Sequence, residues 1–290
     1  MTAPETAVYT LNPALPVLLR PDGAVQVGWD PRRAVLVRPP RGLTVSGLAA
    51  LLRSLHTPTA LTELQRAAAG HGPVDAAELT GLVGALVDAG VVVRDTTRRA
   101  DRKHRRHYRA PSIRVHGRGP LSDLLADTLR CSGVRIQCSS QSHAAVTSAG
   151  TDLVVLSDYL VADPHTVREL HAQGVPHLPV RVRDGTGLVG PLVIPGVTSC
   201  LGCGDLHRRD RDAAWPALAA QLRDTVTHVD RATVLATAAL ALGQVTRVIA
   251  AVRGTADAGP PPTLNTTLEF DVGAGSIMTR HWVRHPLCGC

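Results

Sequence analysis

Cys200 and Cys203 form a Cys-x-x-Cys pair in the stretch PGVTSCLGCGDLH, and Cys288 and Cys290 form a Cys-x-Cys pair in HPLCGC. Thiolates grouped in twos can close a tetrahedral shell around one Zn²⁺. Such a shell would staple the C-terminal tail to a loop far upstream, and a tail with no core of its own frays unless something ties it down. The Cys-x-x-Cys alone also suits a thioredoxin-like redox pair. Two unrelated pairs of buried or free thiols are the bland alternative. The second pair favours zinc, with Cys200, Cys203, Cys288 and Cys290 as its ligands. Four thiolates leave no open coordination position, so the expected role is structural and not catalytic.

A second set of residues bears on nucleotides. Ile113 to His116 reads as a strand, Gly117-Arg-Gly119-Pro-Leu-Ser122 follows, and then comes a helix carrying Leu121, Leu124, Leu125 and Leu129. Gly133 ends that helix and Val134 to Ile136 start the next strand, so the whole reads as a βαβ unit with a G-x-G-x-x-S loop. Amides at such a helix N-terminus can hold phosphate. Gly117 and Gly119 are therefore candidate cofactor-binding residues, and the bland reading is a tight strand-to-helix turn. The acidic residue that grips a ribose after the second strand is missing. No Asp or Glu lies between Asp127 and Asp152, where CSSQSHAAVTSAG runs instead.

The next strand, Thr151 to Asp158, is apolar in its middle, as suits a parallel strand covered on both faces. Asp158 lies at its carboxyl end, where ligands bind in open α/β sheets. It is the candidate Mg²⁺ ligand if a metal-nucleotide binds. Its alternative task is to cap the helix read over 164–173, for which Asp163 competes. Asp205, His207 and Asp210 crowd just beyond Cys203; a charged helix start is the more ordinary reading than acid–base chemistry.

The elements that position these residues can be read in outline. His177 to Arg183 is a strand, and Asp184-Gly185 a turn leading to the cysteine loop. Leu264 to Val272 and Ser276 to Val283 flank Gly273-Ala-Gly275 as a β-hairpin. Upstream, Val17 to Arg20, Val25 to Trp29 and Ala34 to Arg38 are short β-prone runs, with a turn signal at Pro21-Asp22-Gly23. Three helical patterns follow: Val45 to Leu55, Thr59 to Ala69 with Thr59 as cap before Glu63, and 75–89 capped by Asp75. Val91 to Val93 make a last strand. This order describes a winged helix over residues 1–97. Its third helix contains Asp75, Glu78 and Asp88 and no Arg or Lys, which suits a peptide better than a phosphate backbone.

Residues 98–109, RRADRKHRRHYR, hold seven Arg or Lys against one Asp and read as a solvated linker over 98–110. The second domain then covers 111–290. The expected fold class is α/β: a Rossmann-like parallel sheet with an N-terminal winged helix and a C-terminal, zinc-stapled hairpin. At 290 residues and 44% hydrophobic content the chain supports two ordinary cores, resting on Leu, Val and Ala because aromatics are only 2%. The net charge of +7 reads as Arg-rich composition before it reads as an acidic partner. Six cysteines are too few for a disulfide scaffold, no signal peptide is recognisable, and 232–252 is interrupted by Gln244 and Arg247. A cytoplasmic protein without a membrane span is expected, and the lone Tyr108 in the basic run makes nucleic-acid binding unexpected.

DLVVLSDYLVADP, HLPVRVRDGTGLVGPLVIPGVTSCLGCGDLHRRDRDAAWP and the terminal HPLCGC resemble actinobacterial ThiF-like proteins, which are relatives of the E1 and MoeB adenylating enzymes. Members are often labelled cyclodehydratase-like or leader-peptide-binding proteins of azole-modified peptide pathways. The resemblance implies an N-terminal peptide-recognition element, an E1-like domain holding zinc on four cysteines, a leader or precursor peptide as ligand, and commonly a homodimer. It also implies, in active members, a G-x-G-G-x-G loop, an acidic pair after the second strand and an Asn-Leu-x-Arg-Gln segment that together bind ATP. This chain keeps Gly117, Gly119 and Asp158 and lacks the rest; its single lysine, Lys103, precedes the first strand of the domain. An adenylating site without these partners is short of transition-state stabilisation. The expectation is thus an inactive E1-like scaffold that presents a peptide to a partner such as a YcaO-type cyclodehydratase, with zinc as cofactor and ATP/Mg²⁺ disfavoured. The alternatives are an ATP-dependent enzyme adenylating a peptide or protein C-terminus, and a winged-helix regulator. A precursor-peptide and YcaO gene neighbourhood supports the first, and a sulfur-carrier neighbour ending in Gly-Gly supports the second.

Overall fold

The computed structural model describes residues 7–95, 110–141, 150–254 and 259–290. The basic segment 98–109 and most of the stretch that replaces the ribose-binding acid, 142–149, lie outside them. The chain divides into two compact units, Met1–Tyr108 and Arg109–Cys290.

In the first unit, β1 (Val8–Leu11) pairs antiparallel with both β5 (Thr59–Ala60) and β6 (Val92–Asp95). A separate meander joins β2 (Val17–Leu19), β3 (Val25–Val27) and β4 (Val35–Val37). Three helices, α1 (Val45–Ser54), α2 (Leu61–Ala69) and α3 (Ala76–Asp88), complete the unit. Leu48, Leu52, Leu55, Leu64, Leu79, Val83 and Leu86 form one core with Val25 and Val27 of the meander. Alternation along β2–β4 buries Val17, Val25, Val27 and Val37 and turns the cross-strand row Leu18–Gln26–Leu36 outward. The expected cap Thr59 belongs instead to β5, its backbone paired with Tyr9. Ala60 is the N-cap of α2, and the Glu63 carboxylate accepts from the Ala60 N–H at 3.4 Å.

The second unit contains β7 (Ser112–His116), α4 (Pro120–Arg130), β8 (Arg135–Ser139), β9 (Leu153–Ser157), α5 (Pro164–Ala172), β10 (His177–Arg183), β11 (Thr186–Val189), α6 (Leu201–Arg211), α7 (Trp215–Leu222), α8 (Arg231–Val252), β12 (Thr266–Asp271) and β13 (Ser276–His281). Its sheet runs β13-β12-β11-β10-β9-β7-β8. The sheet is mixed, not wholly parallel as the sequence suggested. β8, β7, β9 and β10 are parallel, whereas β11, β12 and β13 continue antiparallel. The reason is local. Asp184 and Gly185 both take positive φ, 49° and 79°, between the paired residues Arg183 and Thr186. A two-residue loop of that kind folds the chain straight back beside itself, so the turn makes a hairpin before the cysteine loop.

One face of the sheet is covered by α4 and α8, through Leu121, Leu125 and Leu129 and through Val234, Ala238, Ala241, Val245 and Ile249. On the other, Val154 and Leu156 pack with Leu170 and Val175 around α5. Among the described residues α8 alone is long and apolar enough to cross a membrane, and its stripe is spent on this core.

The same packing buries His177 completely. Its Nδ1–H donates to the Val175 carbonyl at 3.1 Å, and among the described residues Nε2 has no hydrogen-bond partner. Burial pushes its pKa from 6.5 down to about 4. Between those values the unfolded chain binds a proton that the folded chain lacks, so stability is lost as pH falls, by about 1.4 kcal/mol per unit. We expect urea unfolding at pH 5 to show about 2 kcal/mol less stability than at pH 7, and His177→Gln to flatten this dependence. An equally steep dependence in the variant would assign the effect elsewhere.

Candidate functional site

Cys200 is the N-cap of α6, and its sulfur accepts from the Cys203 N–H at 3.3 Å. The capping bond directs both sulfurs to the same end of the helix, where the C-terminal tail arrives. Cys200 and Cys203 Sγ are 3.7 Å apart, Cys200 and Cys288 3.5 Å, and Cys203 and Cys290 3.5 Å. All four sulfurs lie within 4.8 Å of one another. A tetrahedron with Zn–S bonds of about 2.3 Å has sulfur–sulfur edges of about 3.8 Å, so the donor set and its spacing fit Zn²⁺. Cys200 and Cys203 are buried, Cys288 and Cys290 half-buried. Burial pushes the Cys200 thiol up. Burial also acts on Cys203, but backbone hydrogen bonds at His285 and Cys200 outweigh it and bring that thiol down to about 7.

Other bonds seat the tail independently. The Leu287 N–H donates to His285 Nδ1 at 3.1 Å, which leaves the proton on Nε2 to donate to Asp210 at 2.7 Å. His207 Nε2 donates to the Val283 carbonyl at 3.1 Å, and Arg284 to the Gly196 carbonyl at 2.6 Å. Asp210 and His207 thus anchor the tail on α6. Sequence reading took them for a charged helix start and passed over His285, whose position two residues before Leu287 gave no signal of a partner on α6.

The glycine loop leads into α4 where the strand order reverses between β7 and β9, the usual ligand position of such sheets. Here the anion is supplied by the chain. The Asp158 carboxylate accepts from the Leu121 N–H at 3.0 Å, the Ser122 N–H at 2.9 Å and the Ser122 hydroxyl. Ser122, standing where the fingerprint has glycine, also bonds Ser157 Oγ at 2.8 Å. A Cβ on Gly119 would come within 2.7 Å of the Asp158 carboxylate, so glycine there permits the approach. A Cβ on Gly117 would meet the Ser157 carbonyl at 2.1 Å. Asp158 has φ +71°, an uncommon conformation for a non-glycine residue, and its three acceptor contacts hold it there. The geometry therefore gives Asp158 a task other than the expected Mg²⁺ ligand: it caps α4. Asp163, accepting from the Thr166 N–H at 3.1 Å, caps α5. The cavity beside Asp158, lined by His116, Ser157, Asp163 and Arg181, measures about 20 Å³, room for about one water. With the Asp158 carboxylate seated on them, the Leu121 and Ser122 amides are not free to hold a phosphate.

No protein-family model matches the chain, and no curated protein matches it. Solved structures do. A heterocyclase in complex with substrate and cofactor shares 15% identity at a TM-score of 0.66, over 98% of this chain and 39% of that one. The heterocyclase TruD shares 16% at 0.64, over 98% and 42%. Escherichia coli MccB with MccA shares 15% at 0.59, over 97% and 98%. The chain therefore spans about two-fifths of the heterocyclases and nearly all of MccB. At such identities the likeness is one of fold, and the chain shares the α/β architecture of MccB across almost its full length.

Proposed function

We propose that this chain binds a precursor or leader peptide through a winged-helix first unit and presents it to a partner modifying enzyme, for which a YcaO-type cyclodehydratase is the natural class. In this reading the E1-like second unit is a scaffold that does not adenylate. The observation that carries it is the Asp158 carboxylate seated on the α4 amides, the place a phosphate would take. Cys200, Cys203, Cys288 and Cys290 would hold Zn²⁺, which supplies folding free energy and no reaction step. The first unit offers the edge of β4, and Arg41, in the segment after β4, donates its N–H to Glu78 of the acidic α3; a free edge is a template for an added strand. The resemblance to heterocyclases and to MccB, solved with MccA and with ATP, supports a role in peptide modification.

That MccB has been solved with ATP also favours the second reading, adenylation of a peptide C-terminus. Pyrophosphate exchange separates the two. With full-length, zinc-replete protein, ATP, Mg²⁺ and candidate precursor peptides, we expect no exchange above the blank, and no change in Asp158→Ala. Peptide-dependent exchange that disappears in Asp158→Ala would overturn the scaffold reading.

A further inference from the structure

One concavity of the second unit is rich in charged side chains. A cavity of about 560 Å³ opens between α5, β10, α6 and Trp282, and six arginines line it: Arg168, Arg181, Arg183, Arg208, Arg211 and Arg280. Three of these charges are already answered. Arg208 pairs with Asp205 at 2.9 Å and lies between the rings of Trp215 and Trp282, 5.1 and 5.0 Å from their centroids. Arg183 and Arg280 share Glu269, at 3.5 and 3.0 Å. Asp212, also on the wall, accepts from the Ala214 N–H. Among the described residues Arg168, Arg181 and Arg211 form no ion pair, although Asp205, already paired with Arg208, also attracts Arg181. Arg181 is the telling one. Its neighbours Val180 and Val182 enter the core under α4 and α8, so alternation along β10 sends Arg181 to the opposite face and into the cavity. Burial, then repulsion from Arg208, pulls it down to about 10 against the attraction of Asp205, so it remains charged at neutral pH. A half-buried guanidinium beside more cations than carboxylates is suited to take a further anion.

The shape narrows the anion. A second cavity of about 450 Å³ shares Val161, Pro164, Gly202, Asp205 and Trp215 with the first and continues along α7 over Pro216, Ala219 and Ala220. The combined groove is cationic at one end and mostly apolar at the other, where the two arginines on the wall, Arg209 and Arg223, pair with Asp210 and Asp163. An extended segment fits it better than a compact solute, and both faces that Trp215 and Trp282 turn to Arg208 are unavailable for stacking a base. We infer that this groove binds an extended peptide segment through its carboxylates, with apolar side chains lying along α7. The inference rests on the peptide-presenting reading for the class of ligand, but its site is separate from the β4 edge.

Tryptophan emission reports on the groove, because two of the three tryptophans line it and Trp29→Phe removes the third. The probes are acetylated hexapeptides pairing Leu and Ala with two Glu, each with a free and an amidated C-terminus, and the same set with Gln for Glu. We expect the Glu set to change the emission of full-length protein and to bind at least about tenfold tighter than the Gln set. Amidation tests the chain terminus as a further anchor: a tenfold loss shows that it adds to the acidic side chains, and no loss leaves those side chains as the anchor. Arg181→Gln and the exposed Arg168→Gln should each weaken binding about tenfold, the latter keeping the test valid where the former disturbs folding. No binding by any Glu peptide, equal binding by the Gln set, unchanged affinity in Arg168→Gln, or displacement by ATP would overturn the inference. Loss of this site with peptide capture at β4 intact would remove the groove alone, and the reverse would remove the presenting reading alone.

Discussion

Replacing Cys203 with serine is expected to abolish zinc binding and to lower the thermal midpoint of the protein by about 10 °C. Cys203 is a fully buried residue in the first turn of α6. Serine offers no thiolate, and three remaining ligands cannot close a structural shell. The binding free energy of such a zinc is folding free energy. Losing a metal belongs to the mutational mechanisms that cost about 4 kcal/mol or more, and each kcal/mol moves the midpoint of a unit this size by about 2–4 °C. Cys290→Ser should cost less, because Cys290 is half-buried and the tail keeps its bonds from His285 to Asp210 and from Arg284 to Gly196. Metal analysis of protein purified without added zinc checks this directly: one zinc per chain in the parent and a loss in each variant. Full retention in both Cys200→Ser and Cys290→Ser would rule out the shell.

Leu36→Pro is expected to abolish peptide capture while leaving the first unit folded. The ladder fixes which groups are free. Gly28 N–H bonds the Pro16 carbonyl and Arg20 N–H the Ala24 carbonyl, so Ala24, Gln26 and Gly28 face β2. Val25 and Val27 must then bond Val37 and Val35, and the N–H and C=O of Leu36 point away from the sheet. β4 is an edge strand. Proline at position 36 removes a donor that the sheet does not use, and edge positions tolerate proline. The Leu36 side chain is 56% exposed, so the core loses nothing. An incoming strand, by contrast, loses its central hydrogen bond and meets a pyrrolidine ring. We expect affinity for a captured leader peptide to fall by at least about tenfold, read by fluorescence anisotropy, with a thermal midpoint within a few degrees of the parent. Unaltered affinity would move the peptide off β4.

Much of this was legible in the sequence because its signals are local. The pairing of Cys200 with Cys203 and of Cys288 with Cys290 is a matter of spacing, and metal chemistry needs only that the two pairs meet. The βαβ unit from Ile113 to Ile136 and the hairpin around Gly273 announce themselves through hydrophobic runs and glycines. What escaped depends on partners distant along the chain. β1 and β5 are strands because Tyr9 meets Thr59, and Thr59 looks like a cap until that pairing is known. β11 contains Gly187 and is short, so the turn before it seemed to lead out of the sheet. Asp158 stands at the carboxyl end of a parallel strand, where ligands bind in open α/β sheets. Only the approach of α4, 36 and 37 residues away in sequence, shows that its oxygens are spent on amides. The bond from His285 to Asp210 spans 75 residues and has no sequence signature at all.

The central claim is that this chain holds a peptide on the first unit without adenylating it, and amide hydrogen exchange tests it most directly. Full-length protein would be exchanged with and without leader peptides encoded in its own gene neighbourhood, in the absence of ATP. Slowed exchange at Leu36 and across 76–88, with no nucleotide required, is the predicted result. Capture should be modest in affinity, since a disordered peptide pays for its ordering on binding. No protection at 34–38 or 75–89 by any such peptide, together with salt-sensitive binding of duplex DNA, would contradict the account and make the first unit a nucleic-acid reader.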